Sequence, residues 1–277
     1  MKLHILAVSA VLFAGATQAH AQVSADSTCY YTNKPGRTLT FSIPGNLRVE
    51  LTRLSDSVDT EYVCRATIRN ARGAVLWTQD GFGAALNAWT GQDIDGDGTP
   101  DGVLTVDSGG GNACCWNYFL FQLTPRFRLI RELDYVAQFQ HDERGRTIIY
   151  EFPAFNSLGY SHAETPYVAL AHQFRAGKLE DITLERCAHI LTDTAPTLIT
   201  RQWDWDFATP AMRAASKQAR SVTDSVSQTR HAVTGIALQY FACKRDGDAE
   251  RIVRETWPEA DAAKMLATLR EAWRKMQ

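Results

Sequence analysis

Residues 93–101, Asp-Ile-Asp-Gly-Asp-Gly-Thr-Pro-Asp, constrain this chain more than any other segment. Carboxylates occupy positions one, three, five and nine of the segment, and glycine occupies position six. Aspartates this close together repel one another without a cation, and Ca²⁺ takes roughly six to eight oxygen ligands at flexible geometry. A polar Asp/Gly surface turn is the plainer alternative. We predict a calcium loop, with Ca²⁺ as cofactor and ligands from Asp93, Asp95, Asp97, Asp101 and the carbonyl of Thr99.

The segment differs from an EF-hand in its closing residue and in the element on its C-terminal side. An EF-hand ends with a bidentate glutamate at position twelve, where this chain has Leu104, so we expect Asp101 to close the loop. The apolar, branched run at 102–107 predicts a strand rather than a helix. The pattern Asp-x-Asp-x-Asp-Gly-x-x-Asp, leading into such a strand, resembles the FG-GAP repeats of integrin-type β-propellers and the VCBS repeats of bacterial secreted proteins, over residues 89–123.

This resemblance carries expectations about fold and function. It implies propeller blades, and roles in adhesion, carbohydrate contact or protein inhibition, including inhibitors of lysozyme and immunity proteins against peptidoglycan hydrolases. The sequence has one clear copy of the loop, whereas a complete propeller would show several. Residues 141–145 are open to two interpretations, a decayed second copy or a plain polar hairpin turn.

The N-terminal residues 1–21 have the pattern of a secretory signal peptide. Lys2 supplies the charged start, residues 5–14 form a short apolar stretch, and Ala19-His20-Ala21 is an A-x-A cleavage site. The apolar stretch is shorter than the about 20 residues that a membrane-spanning helix needs. No later segment is apolar for long enough to span a membrane. We therefore expect a periplasmic or secreted protein.

Six cysteines lie beyond the predicted cleavage site, and an even number in an exported chain favours disulfides. The spacing does not match a zinc site. Sequence neighbourhood suggests pairing Cys29 with Cys64 and Cys187 with Cys243. Cys114 and Cys115 would then bond each other or stay free.

Residues 22–200 are predicted to form a β domain. Short runs with alternating polarity are separated by turns around Gly73, Gly98, Gly145 and Gly177. We predict a mainly β fold, a small or incomplete β-propeller-like array of antiparallel hairpins. The expected strands are 38–43, 47–54, 62–68, 74–77, 103–106, 116–123, 127–133, 136–140, 147–152, 167–174 and 179–184.

Residues 201–277 are predicted to form an α-helical C-terminal region. The composition shifts to Ala, Arg, Ser and Gln, with helices expected at 212–226, at 229–241 with an interruption at Gly235, and at 248–255. The last helix carries one apolar stripe, which we expect to pack on the protein itself. The stripe consists of Ala262, Met265, Leu266, Leu269, Trp273 and Met276.

Charge and aromatic residues bear on the choice of partners. The formal charge of −2 is too weak a bias to indicate nucleic acid or an anionic membrane as a partner, so we expect neither. Large aromatic side chains dominate binding energetics when they are exposed, which makes Trp116, Trp203 and Trp205 candidate contacts. Trp203 and Trp205 also suit a buried role in docking a linker.

The segment Asp107-Ser108-Gly109-Gly110 resembles a serine-protease nucleophile segment only superficially, because the histidine context of that family is missing. We therefore do not expect a serine protease.

Two classes of function are consistent with the sequence. The preferred hypothesis is an exported calcium-binding protein that acts as a binding module for a protein or glycan of the cell envelope, with inhibitor or immunity-like activity as one form of that role. The alternative is a calcium-stabilised hydrolase acting on envelope polymers.

Overall fold

A computed structural model describes residues 28–29, 34–54, 63–109, 116–155, 158, 165–191 and 206–277. The described part contains three antiparallel sheets, with a helical region after them in the chain. Residues 1–21, Cys114, Cys115, Trp203 and Trp205 lie outside the described residues, so the predictions about them stay predictions.

The first sheet is a meander in which sequential strands pair as neighbours. Its strands are β2 (Thr38–Ile43), β3 (Leu47–Arg53), β4 (Cys64–Arg69) and β5 (Val75–Gly81). Alternation in β3 explains its orientation, because Leu47, Val49 and Leu51 are buried while the residues between them are more exposed. The strands predicted from alternation here agree with the structure, except that β5 is longer than expected.

The second sheet has the order β1-β6-β7-β8-β9. Its strands are β1 (Thr28–Cys29), β6 (Gly83–Leu86), β7 (Asp101–Asp107), β8 (Trp116–Gln122) and β9 (Arg128–Leu133). Nearly all of β7 is buried, because Val103 joins one apolar core and Leu104 joins the core on the opposite face. An apolar run in which both alternating faces are buried marks an interior sheet.

The third sheet is again a meander, in the order β10-β11-β12-β13. Its strands are β10 (Ala137–His141), β11 (Thr147–Glu151), β12 (Leu170–Arg175) and β13 (Lys178–Asp181). Ile149 packs toward the second sheet, whereas Ile148 and Tyr150 face the other way, toward Ile190. The turn at 142–145 closes the expected β10–β11 hairpin.

The three sheets and the helices form successive layers. The core of Leu51, Ile68, Leu104 and Phe121 joins the first sheet to the second. A second core, which includes Val103 and Ile149, joins the second sheet to the third. The second sheet is therefore the interior layer of the β region.

Four helices lie within residues 210–276, and one further helix is described earlier in the chain, after β13. They are α1 (Thr183–Ile190), α2 (Pro210–Gln218), α3 (Asp224–Ala242), α4 (Asp246–Thr256) and α5 (Glu259–Met276). The predicted strand at 179–184 is wrong in its second half, because α1 begins at Thr183. The predicted interruption at Gly235 is also wrong, since α3 is continuous and buried there. Ala262, Leu266 and Leu269 of α5 are buried in the helical core, as expected for the stripe.

The coarse prediction of a mainly β fold with antiparallel hairpins and a C-terminal helical region is confirmed. The described strands form three open sheets, and within the described residues they do not close into a barrel or a propeller. None of the helices in the described part of the chain combines the length and the apolar character needed to cross a membrane.

Among the described residues, two disulfides connect the layers, and both match the pairs expected from the sequence. Cys29–Cys64 joins β1 of the second sheet to β4 of the first. Cys187–Cys243 joins α1 to the end of α3, across 56 residues of sequence. Disulfides are typical of oxidising compartments such as the periplasm or the extracellular space.

One polar side chain links the helical layer to the third sheet. Gln239 of α3 is fully buried, and its carbonyl oxygen accepts a hydrogen bond from the backbone N–H of Ala169 at 2.8 Å. Its amide nitrogen donates to the carbonyl of the same residue at 3.0 Å. The Gln239 side chain thus makes the two hydrogen bonds to Ala169 that the backbone of a neighbouring strand would make, just before β12 begins.

Gln239→Leu is expected to lower the free energy of unfolding by about 1–3 kcal/mol, because it leaves two buried backbone groups without their partner. Gln228→Leu on the same helix is the matched control, since Gln228 is exposed and its replacement is expected to change stability by less than about 0.5 kcal/mol. Urea unfolding of the two variants beside the wild type measures the difference. Equal stability of the two variants would contradict the role assigned to Gln239.

Candidate metal centre

The acidic loop lies between β6 and β7, and hydrogen bonds tie both of its ends to the start of β7. The hydroxyl of Thr90 donates to the carbonyl of Val103 and accepts from the N–H of the same residue, both at 3.0 Å. The N–H of Gly91 donates to the carbonyl of Asp101 at 2.7 Å, and the N–H of Asp101 donates to the carbonyl of Gln92 at 2.7 Å. The loop is therefore anchored to the interior sheet.

Three of the predicted ligands converge. Asp93, Asp95 and Asp101 each place one carboxylate oxygen within 4.8 Å of the others. Asp101 is fully buried, and its Oδ2 accepts hydrogen bonds from the N–H groups of Ile94 at 2.8 Å and Asp95 at 3.1 Å. Its Oδ1 is buried without a hydrogen-bond partner. An unpartnered, buried carboxylate oxygen is costly, and a bound cation is one partner that would remove this cost.

The electrostatics of the cluster agree with this geometry. Burial raises the pKa of Asp101 to about 7, and the charges of Asp95 and Asp97 act in the same direction. Burial also raises the pKa of Asp95. Both shifts reflect the cost of holding negative charge in a desolvated loop, a cost that a bound cation would offset.

Asp93 organises the curled backbone of the loop. Its Oδ1 accepts from the N–H of Gly96 at 2.8 Å and its Oδ2 from the N–H of Gly98 at 2.9 Å. Both glycines have a positive φ, +79° and +84°, which residues with a Cβ rarely adopt. The glycine predicted at position six is thus required by the backbone, and a second glycine shares its role.

Asp97 and Thr99 lie outside the cluster of three carboxylates. Asp97 Oδ1 accepts from the N–H and the hydroxyl of Thr99, at 2.8 and 2.6 Å, and Oδ2 accepts from the side-chain amide of Gln122 at 2.7 Å. Arg128 in turn donates to Gln122 at 2.5 Å. These contacts hold the outer part of the loop against β8, a role that the sequence spacing did not indicate.

The donor set fits a hard divalent cation such as Ca²⁺. The converging atoms are all carboxylate oxygens, which is the ligand type that Ca²⁺ prefers, and no nitrogen or sulfur ligand joins them among the described residues. Asp93, Asp95 and Asp101 would hold the ion, and its positive charge would offset part of the negative charge of the loop and fix its shape.

Trp116 lies far from this centre. It starts β8 and pairs with Asp107, whereas Asp101 at the loop pairs with Gln122 at the other end of the same two strands. Six residue steps at about 3.3 Å separate the two ends by about 20 Å. Trp116 is half-buried, so the candidate aromatic contact and the candidate calcium site belong to different ends of the second sheet.

Two turns of the third sheet face the acidic loop across a cleft. The cleft has a volume of about 540 Å³, and it is lined by residues 93–97, 145–147, 174, 176 and 177. His141 helps to hold the two sides together, since its Nε2 lies 3.1 Å from Oε1 of Gln92 and its ring centroid lies 4.8 Å from that of Trp89. Sequence reasoning did not find this cleft, because its walls are about 50 residues apart in the chain.

Asp142 shapes the turn that forms one wall of the cleft. Its Oδ1 accepts from the N–H groups of Arg144 at 2.9 Å and Arg146 at 2.8 Å, and its Oδ2 accepts from the Arg146 guanidinium at 2.8 Å. Burial raises the pKa of Asp142, but the hydrogen bonds from Arg146 and Arg144 outweigh it and lower this pKa to about 2. Asp142 therefore orients Arg146 beside the cleft. The structure favours the interpretation of residues 141–145 as a polar hairpin turn.

Comparison with protein-family models, curated proteins and solved structures finds no match for this chain.

Asp142→Asn is expected to destabilise the protein by about 1 kcal/mol at pH 7, because the amide cannot reproduce all of the charge-assisted hydrogen bonds of a partly solvated carboxylate. The folded pKa is below the ordinary value of 3.8, so the wild-type advantage is present above that pH and is lost as the pH falls through about 2. Urea unfolding at several pH values measures the difference. Asp134→Asn, at an exposed position, is the control; an equal loss in both variants would contradict the assignment.

Proposed function

We propose that this chain is an exported calcium-binding protein that acts as a binding module for a protein or glycan of the cell envelope. The observation that carries the calcium assignment is the buried, unpartnered Oδ1 of Asp101 beside the carboxylates of Asp93 and Asp95. Calcium is a structural cofactor here, since it joins the loop to the first residue of an interior strand.

Export is supported by two independent features. Residues 1–21 have the pattern of a signal peptide. The disulfides Cys29–Cys64 and Cys187–Cys243 are of a kind that forms and persists in oxidising compartments. Loops that a rigid, cross-linked scaffold presents are well suited to binding.

The FG-GAP/VCBS resemblance supports a binding role and a finer description of the fold. The acidic loop precedes a strand, as the resemblance requires, and four-stranded meanders flank the second sheet in the β region. We propose on this basis that the three sheets are an incomplete, propeller-like array. An inhibitor or immunity-like activity belongs to the same proposal.

Calcium is expected to raise the melting temperature of the purified protein. A ligand that binds only the folded state at a concentration of 100 times its Kd adds about 2.7 kcal/mol of stability, which corresponds to roughly 5–10 °C for a chain of this size. Thermal melts in calcium and in excess chelator measure the shift. Identical melts would refute the calcium assignment.

Asp101→Asn is the variant that tests the site itself. It keeps an oxygen for the N–H groups of Ile94 and Asp95 but removes the buried charge. The variant is expected to lose the calcium-dependent shift, and in chelator at pH 8 to be at least as stable as the wild type, because the uncompensated charge is gone. Asp107→Asn, at the other end of β7, is the matched control and is expected to keep the full shift.

A partner is expected to be captured from envelope extract by the immobilised protein in calcium, and to be lost in chelator. The calcium-dependent loop shapes the surface around it, so Asp101→Asn run in parallel is expected to retain less. The alternative function, a hydrolase, predicts a different result. In that case no partner would be captured, and the purified protein would turn over a glycan, peptide or ester substrate.

A further inference from the structure

The cleft between the acidic loop and the third sheet contains a polar group that the fold leaves unused. Thr147 is the first residue of β11 and is 4 % exposed, and it lines the cleft. Its hydroxyl is buried without a hydrogen-bond partner. Thr147 shares a strand face with Ile149, which packs toward the second sheet, so its side chain points to the side on which the loop lies. A buried hydroxyl without a partner indicates a place for a ligand atom.

The charges around the cleft limit the class of ligand. Asp93, Asp95 and Asp97 line one wall and disfavour a free anion, because together with Asp101 they exceed the charge of one divalent cation. Arg146 lines the opposite wall, but Asp142 compensates its charge at 2.7 Å, so this wall offers no free positive charge to an anion. Arg146 engages Asp142 through Nε and Nη2, two of its nitrogens, so the planar group is fixed beside the cleft.

The remaining lining suits a ligand with both polar and apolar faces. Phe174 is partly buried against the same core as Ile94, and its ring contributes an apolar surface. The volume of about 540 Å³ falls within the usual range for small-ligand sites. Carboxylates that accept, a guanidinium that donates, a hydroxyl that does either and an aromatic ring together match a neutral, hydroxyl-rich molecule.

We infer that this cleft binds a neutral carbohydrate. Sugar hydroxyls bond to Thr147, Arg146 and the outer oxygens of the acidic loop, and an apolar sugar face lies on Phe174. The inference rests on the proposed function, because bound calcium reduces the negative charge of one wall and fixes its shape.

The test is isothermal titration of the full mature protein in calcium with tetra-N-acetylchitotetraose, cellotetraose, maltotetraose and acidic tetragalacturonate. At least one neutral saccharide is expected to bind, and more tightly than the acidic one. Binding of none of the neutral saccharides, or tighter binding of tetragalacturonate, would overturn the inference.

Thr147→Val locates the site. Valine has nearly the same shape but lacks the hydroxyl, so saccharide binding is expected to weaken about 3- to 10-fold, the equivalent of one neutral hydrogen bond. The melting temperature is expected not to fall, since an unpartnered hydroxyl is removed. Thr105→Val is the matched control: its hydroxyl is also buried but lies 3.4 Å from the carbonyl of Ala85, and its saccharide affinity is expected to be unchanged. Equal saccharide affinities of Thr147→Val and the wild type would refute the assignment of the cleft.

Calcium binding of each variant is measured separately by the thermal shift. A wild-type protein that shows the calcium shift but binds no saccharide overturns only the carbohydrate inference. A protein without the calcium shift overturns the proposed function first, whatever its behaviour with saccharides.

Discussion

The second sheet is covered on both faces, and the other layers depend on it. In β7 the side chains alternate between two cores, with Val103 facing the third sheet and Leu104 facing the first. Neither face can be left in water without exposing several large apolar side chains, each worth about 1.5–3 kcal/mol when buried. The strand therefore needs both neighbours, and the acidic loop is attached at its first residue.

This position explains how one residue serves both the fold and the candidate metal centre. Asp101 begins β7, pairs with Gln122 through the backbone, and aligns the loop by accepting from Ile94 and Asp95. The same burial that makes those contacts rigid makes its remaining oxygen expensive to leave without a partner. The placement of the strand and the cost of the unpartnered oxygen are thus two results of the same burial.

Local sequence patterns predicted much of the fold, whereas contacts between residues far apart in the chain could not be predicted from them. Alternation identified the meanders, because one buried face leaves a clear period of two. The helix α1 was missed, although Thr183, Cys187 and Ile190 are buried at helical spacing. The prediction of an interruption at Gly235 was wrong because tertiary packing outweighs the cost of about 1 kcal/mol that a glycine adds inside a helix. Within the site, the spacing of aspartates found Asp93, Asp95 and Asp101, but the cleft and Thr147 arise from contacts between distant segments, which no local pattern encodes.

The double hydrogen bond of Gln239 and the Cys187–Cys243 disulfide have a consequence for where the chain can be divided. The change in composition near residue 200 looks like a domain boundary, yet Phe155 and Val168 lie in the same core as the C-terminal helices. A fragment ending there would present those side chains to solvent and carry Cys187 as an odd thiol, which favours covalent dimers and aggregation. The helices complete the core of the β region, so the two described parts depend on each other for folding.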